Sequence, residues 1–261
     1  MTSKSQNIKS FLSLLTKKII KPTTAVNDLR IIKGAEEIQA IKNACLLGDE
    51  VYSNILKNLK TGKTENEIAF EIELLIRKNE AKISFPAIVA FGSNGSFPHH
   101  VPTDKKLQKN TFVLMDFGVK LNNYCSDMTR TIFFGTATKE QRQAYNTVLE
   151  SQQKAVEHIE KKLAKKEKIK ATDVDKIARK HIISQGFPTI PHSLGHGIGL
   201  EVHELPHIPG TKEQLEEGMV FSIEPGVYLS DKFGVRIEDL YAIENNELIP
   251  LTISTKKLLE I

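Results

Sequence analysis

Apolar residues recur at helical spacing over residues 35–60, at Ile38, Ile41, Cys45, Leu46, Tyr52, Ile55 and Leu56. That pattern predicts an amphipathic helix with one buried face. Thr61 and Gly62 end it. Thr64 with Glu67 three residues later is a capping box, so a second helix starts there and runs to about residue 79. The period then changes. Residues 85–91 read as an apolar strand closed by a Gly/Ser/Asn loop. Residues 111–119, TFVLMDFGV, read as a buried strand, and a turn at Asn122 and Asn123 returns the chain as a second strand over 124–134. Helical spacing resumes over 139–162, and Thr172 is placed to cap a further helix ending near residue 185. Residues 186–210, rich in Gly, Pro and His, predict loops and strands around a site. Two more strands are expected over 219–229 and 234–243, and LTIS at 251–254 is a short β-prone piece. The Ser-, Lys- and Thr-rich residues 1–33 read as an N-terminal extension or linker, which leaves 34–261 as one domain.

The strand regions carry a weak repeat. KLQKNTFVLMDFGVKL at 106–121 aligns with QLEEGMVFSIEPGVYL at 214–229. At this offset Leu107 matches Leu215, Asp116 matches Glu224, Gly118 matches Gly226 and Leu121 matches Leu229. Each segment follows a helix and a His-containing loop and precedes a second acidic strand. The expectation is two similar α/β halves facing each other, with a site at their interface that takes side chains from both.

Composition narrows the function classes. Hydrophobic residues at 40% and charged residues at 26% are ordinary for a globular protein. The net charge of +4 is dispersed; its densest run, KKLAKKEKIK at 161–170, reads as a solvated helix end. No aromatic interleaving supports nucleic-acid binding. Cys45 and Cys125 are too few for a disulfide scaffold, so a reducing, cytoplasmic location is expected. The apolar FLSLL at 11–15 is too short to span a membrane and lacks a cleavage site, so no membrane partner is expected.

Five scattered residues have metal-ligand chemistry: Asp116, Asp127, His196, Glu224 and Glu238. Asp116 lies inside an apolar strand, where a bare carboxylate is costly unless it is hydrogen-bonded or ligated. Asp127, in SDMTRT, can face the same cavity across the turn, with Thr129 and Arg130 able to hold neighbouring carboxylates; a surface salt bridge is the bland alternative. His196 sits in HSLGHGIGL, where glycines permit close backbone approach. Glu224 precedes Pro225 and Gly226, a pair that breaks the strand and aims the carboxylate. Arg236 shares a strand face with Glu238 and can support it, while Asp239 faces the other way and is the alternative ligand. Four carboxylates and one imidazole suit a pair of divalent ions, which activate and orient water for hydrolysis.

The set DFG at 116–118, SDMTRT at 126–131, HSLGHGIGLEVHE at 192–204, IEPGVY at 223–228 and RIED at 236–239 resembles the pita-bread metallopeptidases. That family includes methionine aminopeptidase, Xaa-Pro aminopeptidase and prolidase. The likeness runs over residues 29–253. It is nearest to the proline-directed branch, through His192 four residues before His196 and the short gap from Glu224 to Glu238. It departs from that branch in the large separate N-terminal domain, where this chain has only residues 1–33.

The resemblance implies an α+β pita-bread fold of two pseudo-symmetric halves around a curved antiparallel sheet. It also implies two divalent ions, manganese or cobalt first, with iron or zinc as alternatives. Asp116, Asp127, His196, Glu224 and Glu238 would be ligands, and Glu224 would also shuttle the proton. His203 would donate to the developing oxyanion, and His99, in preference to the adjacent His100, would position the scissile bond. His192 would line the pocket beyond it. Arg236 and Thr129 would support the ligands from behind. His207 has no assigned role and is expected at the rim. Phe85, Phe91, Phe97 and Tyr228 are candidate walls of an apolar proline slot. The expected partners are short peptides with a free N-terminus, with self-association as a homo-oligomer left open. The competing readings are a methionine aminopeptidase, a creatinase-like small-amide hydrolase and an inactive binding protein of the same fold.

Overall fold

The computed structural model describes residues 25–210 and 214–261. Two helices come first among the described residues, α1 (Ala25–Ile31) and α2 (Ala35–Asn58). The first lies within the stretch expected to be an extension; the FLSLL piece lies outside the described residues. In α2, Ile38, Ile41, Cys45, Tyr52 and Ile55 are buried as their spacing requires, whereas Leu46 is exposed because it lies next to Cys45, about 100° further round the helix. Helix α3 (Glu65–Lys78) starts at the expected capping box: Glu67 N donates to Thr64 Oγ1 at 3.1 Å and Thr64 N donates to Glu67 Oε2 at 2.7 Å. Its Ile68, Ile72 and Ile76 form one fully buried stripe.

The first half of the molecule is built on β2 (Ile88–Phe91), β3 (Thr111–Phe117) and β6 (Met128–Phe134), which pair antiparallel in the order β2-β3-β6. Between them, β1 (Lys82–Ile83), β4 (Val119–Leu121) and β5 (Tyr124–Cys125) form a small second sheet. The expected turn is present, with Asn122 and Asn123 at φ of 49° and 71°, the left-handed pair that a tight hairpin needs. The second half begins with α4 (Lys139–Ala164), the two-residue β7 (Ile169–Lys170) and α5 (Ala171–Ser184). Thr172 is not the cap of α5. β7 pairs with β10 (Gln214–Leu215) and passes directly into the helix, so Thr172 falls inside the first turn.

The main sheet of this half runs β15-β14-β11-β8-β9. Its strands are β8 (Gly195–Gly197), β9 (Glu204–Ile208), β11 (Val220–Ile223), β14 (Asp239–Glu244) and β15 (Glu247–Pro250). A separate pair, β12 (Gly226–Leu229) with β13 (Phe233–Arg236), continues β11 and precedes β14. LTIS is not a strand. Past β15 the amides of Ile253 and Ser254 donate to the Asp49 carboxylate on α2, at 2.9 and 2.8 Å, in place of a ladder.

The halves match as the repeat predicts. β3–β4 corresponds to β11–β12, and each pair is interrupted at the repeat's acid–glycine step. At Gly118 an added Cβ would sit 1.9 Å from Ser126 O, so only glycine lets the two legs of the hairpin close there. One apolar core lies between α3 and the β2-β3-β6 sheet. A larger one joins α4 and α5 to β11, β12 and β13. A third packs α2 on β11 and β14. The molecule is therefore two α/β halves, each with its helices outside and its interrupted strands turned toward the other.

Candidate metal centre and active site

The interruptions are where the site forms. Each long strand expected from the sequence is broken: at Gly118, at Ser126 and Asp127, at Glu224 and Pro225, and at Ile237 and Glu238. A ladder residue has both backbone groups committed. At the breaks those groups cross between elements: Glu224 N donates to Leu194 O at 2.8 Å, and Glu238 N donates to Thr129 O at 3.1 Å. The second bond ties one half to the other and brings their acids together.

The resulting cavity of about 370 Å³ is lined by Asp116, Asp127, His196, Glu224 and Glu238, by His99, His192, His203 and His207, and by Arg236. One ligand atom each from Asp127, His196 and Glu238 lies within 4.8 Å of the others. His196 Nε2 is 3.6 Å from Asp127 Oδ2 and 3.5 Å from Glu224 Oε1. Asp116 is set apart by its ion pair with Arg236.

Electrostatics show what this arrangement lacks. Burial first, then the neighbouring acids, pushes the carboxyls of Asp127 and Glu224 well above their ordinary range and that of Glu238 up to about 8. The buried oxygens Asp116 Oδ1, Asp127 Oδ1 and Glu238 Oε1 have no hydrogen-bond partner among the described residues. Among the described residues, Arg236 is the only guanidinium or ammonium group lining the cavity. Four carboxylates with spare lone pairs and one cationic side chain form a donor set that divalent cations satisfy. His196 fits that set. Its Nδ1–H donates to Gly197 O at 3.1 Å, which leaves Nε2 facing the acids. Burial and the neighbouring His203 pull its pKa down to about 4, so the ring is neutral near pH 7.

Arg236 organises the acidic wall. It pairs with Asp116, donates through Nε to Thr129 Oγ1 at 3.0 Å, and donates through Nη1 to Tyr228 OH at 2.9 Å. Thr129 Oγ1 in turn donates to Glu238 Oε2 at 2.7 Å. Asp239 faces away from the cavity. Arg130 Nη2 at 2.5 Å, Gln152 Nε2 at 3.0 Å and Thr252 Oγ1 at 2.6 Å all donate to it.

The histidines sit in different settings. His203 is exposed, with its ring centroid 4.4 Å from that of His196. Partial desolvation where its ring lines the cavity lowers its pKa, with Asp116 opposing. The loop that carries it is anchored by Glu204, which accepts from Glu201 N at 3.0 Å and pairs with Arg30 and Lys33 next to helix α1. His99 lines the cavity, whereas His100 turns back to bond Glu65 Oε2 at 2.9 Å. His207 pairs with His196 across β8 and β9 and reaches the rim, exposed. Both ring nitrogens of His192 are engaged: Nδ1 with Ser193 O and Nε2 with Tyr228 OH, each at 2.7 Å.

Of the four aromatic candidates, only Phe85 lines the cavity. Phe91 is buried in the first-half core, Phe97 is exposed on the surface, and Tyr228 touches Arg236 and His192 from behind. Sequence reasoning missed Ser222, whose Oγ accepts from His196 N at 3.1 Å and donates to Glu224 Oε1 at 3.3 Å. Its signal was the two-residue strand period, which puts Ser222 on the face of Glu224. Glu65 was missed as well.

The sequence pattern of metallopeptidase family M24 matches residues 39–245. The Xaa-Pro dipeptidase of Pyrococcus furiosus is 41% identical over 246 residues, covering 93% of this chain and 69% of that protein. Among solved structures, the prolidase of Thermococcus sibiricus superposes with a TM-score of 0.88 at 41% identity, over 96% of this chain and 69% of the other. The X-Pro aminopeptidase of Thermotoga maritima gives 0.86 at 32% identity, over all of this chain and 73% of the other. The two-halved α+β architecture described above is the pita-bread fold these proteins share.

Proposed function

The chain belongs to metallopeptidase family M24, and from that premise we propose that it is a dinuclear metal-dependent exopeptidase. In this reading it removes the N-terminal residue from short peptides with proline at the second position. The observation that carries this is the trio of buried, unpartnered carboxylate oxygens beside a neutral imidazole, in a cavity large enough for a dipeptide. The names of the relatives at 41% identity support the proline preference.

Asp116, Asp127, His196, Glu224 and Glu238 would hold two ions, manganese or cobalt being the first to test and iron or zinc next. When bound, such ions lower the pKa of water and polarise a carbonyl. The remaining roles fall to the chain. Glu224 accepts a proton from the attacking water and returns it to the leaving amine. His203, neutral near pH 7, donates to the oxyanion, a contribution of roughly 3 kcal/mol. His99 positions the peptide. With both nitrogens engaged, His192 offers its carbon edge to the cavity that Phe85 also lines, apolar surface suited to a proline ring. Arg236 and Thr129 keep Asp116 and Glu238 aimed. The two buried free cysteines suit a reducing cytoplasm, and among the described residues no helix is long and apolar enough to cross a membrane.

The test is to strip the protein of metal, restore manganese or cobalt, and assay short Xaa-Pro and Met-Ala peptides. Hydrolysis of Xaa-Pro bonds only with added metal is expected. Cleavage confined to Met-Ala peptides would move the assignment to a methionine aminopeptidase. Metal uptake with no turnover of either would overturn peptidase activity.

A further inference from the structure

Glu65 is fully buried at the first turn of α3, and its carboxylate spends its hydrogen bonds on one loop and the last residue of the strand that leads into it. That loop, residues 92–103, leaves β2 through a short 3-10 turn (Gly92–Ser96) and carries His99 to the cavity. Oε1 accepts from Phe91 N at 2.7 Å and from Asn94 Nδ2 at 2.8 Å on the outgoing leg. Oε2 binds His100 Nε2 at 2.9 Å and accepts from Thr103 N at 3.0 Å and Thr103 Oγ1 at 2.6 Å on the return leg. One carboxylate thus clasps both legs, with His99 between the clasped points.

The rest of the strap is seated as well. The amides of Glu65 and Asn66 donate to Lys105 O and Thr103 O, at 3.2 and 3.1 Å. Lys105 Nζ donates to Phe91 O at 2.8 Å and to Ser93 Oγ at 2.9 Å. Gly95 lies so close to Gly234 on β13 that a Cβ at 234 would be 1.7 Å from Gly95 O. Arg236 Nη1 donates to Pro98 O at 3.3 Å, one residue before His99. Burial pushes the Glu65 carboxyl up, but the bonds from Thr103, His100, Phe91 and Asn94 outweigh it and hold the group below its ordinary range, so it is ionised at neutral pH. Buried polar groups with all partners in place lock geometry, and a single mismatch is costly.

We propose that Glu65 is a positioning residue for the peptidase site, fixing the 92–103 strap so that His99 meets the substrate. This rests on the reading of the cavity as that site, with His99 in contact with peptide. Glu65→Gln keeps size and shape but sets an amide NH₂ against the Thr103 donors. Thr103→Val, at an exposed position, removes the hydroxyl donor to Glu65 together with the acceptor of Lys105 N at 3.2 Å, leaves the Thr103 amide bond in place, and serves if the first variant does not fold.

Steady-state kinetics on an Xaa-Pro peptide with the manganese-loaded protein give the decisive comparison. Glu65→Gln is expected to lower kcat/KM by roughly 10- to 100-fold, since small misplacements of a positioned group carry costs of that size. Thr103→Val should lower it less. In the His99→Ala background neither change should cost much more, because both act through His99. Multiplying losses would overturn the proposal. Amide hydrogen exchange gives a readout that needs no turnover: residues 91–103 should exchange faster in Glu65→Gln while β3 and β6 stay protected. Unchanged exchange in the strap would also overturn it. A wild-type protein that hydrolyses nothing would remove the peptidase reading, and the exchange result would then decide the strap's dependence on Glu65 by itself.

Discussion

Glu238 and Asp239 are adjacent acids in opposite circumstances. Glu238 has a buried oxygen with no partner among the described residues and a carboxyl pushed up to about 8 by burial and by Asp116. Asp239 is equally buried, yet Arg130, Lys256 and Thr252 overcome the burial and hold it below the ordinary range. Breaking a buried ion pair from one side strands the other charge. Asp239→Ala should therefore destabilise the fold by about 3–5 kcal/mol, measured by urea unfolding. Glu238→Gln should leave metal-free stability near pH 8 unchanged or higher while abolishing tight manganese uptake, measured by equilibrium dialysis. If Glu238→Gln instead bound manganese as the parent does, Glu238 would not be a ligand. Arg236 touches four groups in a planar fork that an ammonium does not reproduce. Arg236→Lys is expected to cost roughly 10- to 100-fold in kcat/KM with the fold retained by circular dichroism.

At the scale of elements, the informative events are the places where strands stop. Helices α2 and α4 were legible from their apolar period, and α3 from period and capping box together. The break at Glu224 was legible too, since Pro225 lacks an amide donor and Gly226 relaxes the chain. The breaks at Asp127 and Glu238 were not. Ser126-Asp127 and Ile237-Glu238 are acceptable inside a strand; at the first, Ser126 N turns to Val119 O across the closed hairpin, and at the second, Glu238 N turns to Thr129 O of the opposite half. LTIS failed as a strand for a similar reason, because Asp49 on a distant helix takes its amides. Of the candidate site, residue types and motif order were readable in one dimension; the engagement of both His192 nitrogens and the clasp of Glu65 depend on packing. The closed hairpin at Gly118 makes a sharp expectation. Gly118→Ala drives a methyl into Ser126 O and should cost roughly 3 kcal/mol or more, seen as a large fall in melting temperature or loss of folded protein.

Across the whole molecule, two halves meet through like charges. In the metal-free protein, folding raises the Asp127, Glu224 and Glu238 carboxyls, so the native state holds protons that the unfolded chain has released. The stability these carboxyls contribute is then greatest below the unfolded value, 4.5 for Glu238, and declines as pH rises toward its folded value of about 8. The melting temperature of the metal-free protein should fall between about pH 6.5 and pH 8, above the range in which the His192 and His196 imidazoles, held down to about 4 by folding, oppose the trend, and manganese should restore it most at the alkaline end, where fewer protons must leave. A melting temperature that rises across that window would contradict the crowding of acids. One further tie spans the fold: Arg30 and Lys33, at the entrance of the chain, grip Glu204, the neighbour of His203. Helix α1 is thus a latch whose bolt is seated beside the reaction chamber. A change made at helix α1 is therefore felt at the mouth of the cavity, through the loop that carries His203.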